Sequence, residues 1–170
     1  MKKICILLFL ILYCGIVQAQ QTSLKVCGIS TSKSISSFKA QLEAKGFTAD
    51  GTTRLYGTFA GMNNTKIWIN PYSKDALNVY EIEVSFTDES LNDAINIKML
   101  YTAKYGKGER YLSYNSSNEY YVEEMVWQFA YGKIVLHHEH EGLRGDRIWI
   151  SYCDYNNIKK DASTNGYNDI

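Results

Sequence analysis

Beyond its first nineteen residues the chain has no apolar run long enough to cross a bilayer. It carries no excess charge. Eighteen Lys and Arg offset 18 Asp and Glu, and no basic stripe gathers the cations to neutralise phosphates, which argues against nucleic acid as a partner. The common catalytic signatures are missing too. There is no Gly-x-Ser-x-Gly elbow, no His-Glu-x-x-His and no glycine-rich loop opening a helix. Gly106-Lys107-Gly108 follows a helical pattern and reads as a helix stop. Glu123 and Glu124 are adjacent, so on a strand they point to opposite faces and cannot share acid–base work. These absences weigh against an enzyme and leave a binding role in front.

What is present begins with the leader. Met1-Lys2-Lys3 is a short basic start, Ile4 to Val17 is nearly all apolar, and Val17-Gln18-Ala19 is a small-x-small cleavage pattern. Residues 1–19 therefore read as a secretory signal, which places the mature chain outside the cytoplasm, secreted or periplasmic. Cys14 as a lipid-anchor site is disfavoured because bulky Tyr13 precedes it. Of four cysteines, Cys27 and Cys153 lie past the leader. In an oxidising compartment such a pair reads first as a disulfide, with two buried thiols as the alternative. The bond would close nearly the whole mature chain, worth about 5 kcal/mol in the chain-entropy model. Neither cysteine sits in a Cys-x-x-Cys context.

The remainder predicts an α+β domain over residues 20–155, built from a duplicated α-β-β-β unit at about 24–87 and 88–155. Ile35, Phe38 and Leu42 share a face of a helix over residues 34–45, with Ser34 as N-cap and Gly46 as stop. A second helix covers Leu91 to Tyr105, capped by Thr87, Asp88 or Ser90 and ended by Gly106. Phe59-Ala60 before Lys66-Ile67-Trp68-Ile69 is echoed by Phe129-Ala130 before Lys133-Ile134-Val135-Leu136. Closing strands follow at Ile82 to Asp88 and Ile148 to Asp154. Alternation such as Tyr80-Glu81-Ile82-Glu83-Val84 predicts antiparallel strands with one wet face. Both helices are expected on the other face of one curved sheet. A short strand at residues 24–29 is expected beside the last strand, bringing Cys27 toward Cys153. Residues 110–124 read as a polar loop and 156–170 as a disordered tail.

Gly28-Ile29 with Ser34, Phe38, Leu42 and Lys45-Gly46-Phe47 resembles the opening of small secreted bacterial proteins of uncharacterised function. Ala103-Lys104-Tyr105-Gly106, Trp127 and Ile148-Trp149-Ile150-Ser151-Tyr152 are similar to a second motif of such proteins. In architecture alone, the duplicated pattern resembles tandem domains of the β-lactamase-inhibitor-protein type. The resemblance implies a secreted binding scaffold; no inhibitory residue carries over, and a fold does not fix a function.

Two candidate sites emerge. All three histidines fall in His137-His138-Glu139-His140-Glu141. On a strand His138 and His140 share a face and are a candidate zinc or copper pair, with Glu139 or a residue from another strand as third ligand. The competing readings are a solvated hairpin end and a pH-responsive patch. No cofactor is otherwise expected. Tyr111, Tyr114, Tyr120 and Tyr121 crowd the polar loop and are candidates for binding a protein or cell-envelope component, or a glycan or small molecule. Trp68, Trp127 and Trp149 are expected in the core. Oligomeric state is not legible.

Overall fold

A computed structural model of the chain describes residues 22–71, 77–86, 91–115, 120–140 and 146–164. The expected signal, the cap of the second helix and Glu141 lie outside the described residues. The chain opens with a small hairpin, β1 (Lys25–Val26) and β2 (Ile29–Ser30), then α1 (Ile35–Glu43), β3 (Thr48–Ala49), β4 (Arg54–Phe59), β5 (Met62–Pro71) and β6 (Val79–Ser85). After α2 (Leu91–Tyr105) come β7 (Glu109–Asn115), β8 (Tyr120–Phe129), β9 (Gly132–His140), β10 (Asp146–Asp154) and α3 (Tyr155–Thr164). Strands β3 to β10 form one antiparallel sheet in the order β3-β4-β5-β6-β10-β9-β8-β7. The fold is α+β, as expected. The two meanders meet at the centre, where β6 pairs with β10.

Local chemistry sets the elements. The Ser34 side chain accepts from the Ser37 amide and caps α1. Ala60 and Gly61 both have positive φ, which gives the tight turn between β4 and β5 its hairpin twist. Period-2 alternation then sorts the strands. Leu55, Ile67, Val84, Ile150, Leu136 and Met125 lie in register along one row and are all buried. Phe38 and Leu42 of α1 and Ala94 and Ile97 of α2 join the same core. Gly57 lets the chain after α1 close down. A Cβ there would lie 2.4 Å from the Phe47 ring.

Several expectations need correction. Of residues 110–124, those described are not a loop: residues 110–115 of β7 and 120–124 of β8 pair as antiparallel strands, because their tyrosines and valine suit a pleated surface, and residues 116–119 lie outside the described residues. Residues 156–164, expected to be disordered, are helical. Asp154 caps α3 by accepting from the Asn156 and Asn157 amides. Its other oxygen accepts from Thr31 and Ser32, both at 2.6 Å. The Asn157 side-chain Nδ2 donates to the carbonyls of Thr31 and Val79, so buried polar groups rather than apolar periodicity dock this helix. The strand expected at residues 24–29 folds on itself as β1 and β2, turning at Cys27 and Gly28.

The two cysteines expected to pair are not bonded in this structure. Cys27 and Cys153 are free thiols. The Cys153 thiol is 3.9 Å from Glu81 on one side of the sheet. Its neighbour Tyr152 points to the other side, where its hydroxyl meets that of Tyr101, and Cys27 packs against that core side. The sheet stands between the two sulfurs. Burial raises the Cys27 thiol against the pull of Lys45, and burial with the Glu81 charge pushes Cys153 up to about 11. Both stay protonated near neutrality, which makes them weak nucleophiles.

Candidate binding face

The buried residues of α1 and α2 pack on one side of the sheet, and neither helix covers the other side, where the Tyr155 hydroxyl at the start of α3 accepts from Gln128 at one corner. That open side follows from the alternation. One of its rows runs Tyr56, Lys66, Ser85, Trp149, His137, Glu124 and Tyr111 across seven strands. The next row runs Arg54, Trp68, Glu83, Ser151, Val135, Val126 and Glu109. Their mixture of aromatic rings and both signs of charge differs sharply from the aliphatic rows behind them.

The tryptophans divide between the two sides. Trp127 is 2% exposed, its indole N–H donating to the Gly106 carbonyl at 2.9 Å beneath α2. Trp68 is 36% exposed and lies under the Arg54 guanidinium, 5.2 Å from ring centroid to cation. Trp149 stacks on His137 with centroids 4.6 Å apart and planes 7° from parallel, and the Arg147 guanidinium lies 5.9 Å from the Trp149 ring centroid. Trp68 and Trp149 are therefore not core, contrary to expectation. The signal was present: each alternates with isoleucines, Ile67 and Ile69 or Ile148 and Ile150, which face the helices.

Between the two tryptophans β6 supplies Glu83 and Ser85. Burial raises the Glu83 carboxyl above its ordinary value, helped by the like charge of Glu81 and opposed by Arg147. Glu83, Ser85, Glu139, Arg147 and Trp149 line an open cleft of about 430 Å³. Burial holds the His137 imidazole below its ordinary value, opposed by Glu124, whose carboxylate lies 3.0 Å from Nδ1. This surface can stack on a flat ligand, form hydrogen bonds and accept a partner with charges of either sign.

The histidine cluster is split by the pleat. His137 is on the open side, whereas His138 faces the helices, 3.3 Å from Asp146. Glu139 is on the open side, paired with Arg147 at 3.2 Å, so it cannot complete a site with His138. The His140 side chain lies outside the described residues, and among those described no group of three His, Cys, Asp or Glu could hold a metal ion. The tyrosines are split as well. Tyr114 and Tyr121 face the helix side and pack at 4.8 Å, while Tyr111 lies on the open side in register with Glu124. Tyr120, alternating with Tyr121, falls on the side of Tyr111.

On the helix side Glu123 binds Lys98 at 2.6 Å and Arg110 at 3.0 Å. Burial opposes its charge, yet these two cations hold its carboxyl below the usual range. No helix among the described residues is long and apolar enough to cross a membrane. Comparison of the chain with protein-family models, with curated proteins and with solved structures finds no match.

Proposed function

We propose that the chain is a secreted, non-catalytic binding module that engages a protein or cell-envelope component through the open side of its sheet. The observation that carries this reading is the contrast within single strands: Trp68 and Trp149 are turned outward while their isoleucine neighbours are turned into the core. Large rings left at a surface lose apolar burial, which a binding role offsets. The leader-like residues 1–19 support an extracytoplasmic setting.

The two halves of the sheet also support an origin by duplication. In each, a helix precedes a four-strand meander, one strand more than the expected α-β-β-β unit, whose last strand reaches the sheet centre. A glycan reading is favoured by one feature, the carboxylate cleft beside the Trp149 ring. Zinc at His138 and His140 now needs a third ligand other than Glu139.

Affinity capture from native cell envelope tests the reading. Tagged protein should recover a component that Trp68→Ala with Tyr111→Ala loses, while Tyr114→Ala with Tyr121→Ala keeps it. Equal recovery by all three would sink the open-face assignment.

A further inference from the structure

The two ends of the sheet are finished differently. At one end β3 contributes only two residues. At the other, β7 is seven residues long, and Glu109 to Tyr114 are all exposed on both faces of the strand. It contains no proline or lysine, and its two charges, Glu109 and Arg110, sit together at one end of the strand, leaving Tyr111 to Asn115 uncharged. Leu112 is 59% exposed and Tyr114 53% exposed on the helix side.

We propose that β7 pairs antiparallel with β7 of a second copy of this chain, about a two-fold axis through Leu112. The occupant is argued from self-complementarity. Leu112 is the central residue of the seven, so only a register centred there pairs the whole strand with itself. In that register Leu112 meets Leu112 and Arg110 meets Tyr114, a cation beside a ring, on the helix side. Tyr111 meets Ser113 on the open side, and the backbone of Glu109 meets that of Asn115. No like charges oppose each other.

The side chains are already held for this contact. Arg110 is fixed on Glu123 by bonds of 3.0 and 3.3 Å, Tyr111 donates to Glu109 at 2.6 Å, and Tyr114 packs on Tyr121. Little side-chain freedom is lost on pairing. A two-fold axis perpendicular to the sheet keeps both helical layers on one side. The result is a continuous sheet with the open faces of both copies side by side. That doubles the binding surface, although the dimer does not depend on what that surface binds.

Two measurements on the purified protein test the proposal. Sedimentation equilibrium should show a dimer, and Leu112→Lys, which puts two cations on the axis, should weaken association by about tenfold or more. The substitution is at an exposed site, and an unchanged circular dichroism spectrum confirms folding. In the second, Leu112→Cys should cross-link to itself on mild oxidation, whereas Ser113→Cys, opposite Tyr111, should not. A monomer at every concentration overturns the proposal. So does a dimer that survives Leu112→Lys, or one in which Ser113→Cys cross-links as readily as Leu112→Cys, because a different surface or register would then hold it.

Discussion

The two sides of one sheet were built from the same strands, residue by residue, and they do different work. On the helix side the row Leu55, Ile67, Val84, Ile150 and Leu136 is aliphatic, buried and in register. On the open side the same strands offer Arg54, Tyr56, Trp68, Trp149 and His137, with rings and charges stacked on one another. A strand can serve both because successive side chains point opposite ways. Stability and recognition are thus separated by a single step in sequence, and substitutions at neighbouring positions should report on different properties.

The largest effect should come from the helix side. Ile150→Ala empties a fully buried position and is expected to cost about 2–5 kcal/mol in denaturant unfolding. Ser85→Ala, on the open side, should stay within about 0.5 kcal/mol. Similar costs for both would erase the contrast. The docked C-terminal helix should rank second. Asn157→Ala removes the side-chain bonds to the buried carbonyls of Val79 and Thr31, the latter keeping the Lys33 amide, and is expected to cost about 1–3 kcal/mol. Hydrogen exchange should rise in α3 before it rises in the sheet; unchanged exchange there would show that the helix is held by other contacts.

A subtler case lies where α2 crosses the core. Tyr152→Phe removes one partner of the buried Tyr101–Tyr152 hydroxyl pair and is expected to cost about 0.5–1.5 kcal/mol. Adding Tyr101→Phe should recover part of that loss, because no hydroxyl is then left unpaired. Strictly additive losses in the double-mutant cycle would contradict the pairing. The smallest effect is electrostatic and belongs to the open side. Burial depresses the His137 imidazole in the folded chain, so the unfolded chain binds its proton more tightly. This contribution is full above the ordinary value of 6.5 and is lost as pH falls through the folded value. The denaturation midpoint should drop between pH 7 and pH 5, less steeply in His137→Gln. Identical slopes would show that His137 is not the group responsible.

Much of this division was legible from alternation and capping. Ser34 as the α1 cap, Leu91 to Tyr105 as a helix and the Tyr80 to Phe86 strand pattern all follow from local chemistry that tertiary contacts reinforce. The open-side tryptophans were legible too, yet residue size pulled the reading toward the core against the parity set by Ile67 and Ile148. Other features had no local signal. Asn157 and Asp154 look like tail residues until Thr31 and Val79 are brought beside them across the fold. The β7–β8 hairpin was hidden by its polar centre, since half of an edge strand faces water and reads as loop. The free thiols depend on which face Cys153 occupies, and that parity was fixed by Tyr152 turning inward to Tyr101.

The most direct test uses the tryptophans themselves, one inside the helix side and two outside. Variants that each keep one of Trp68, Trp127 and Trp149, with phenylalanine at the other two positions, would be titrated with solubilised cell-envelope fractions while acrylamide quenching is followed. Trp68 and Trp149 should quench readily alone and become shielded as an envelope fraction binds, with Trp127 protected throughout. Binding that leaves Trp68 and Trp149 as quenchable as before would contradict the assignment of recognition to the open side of the sheet.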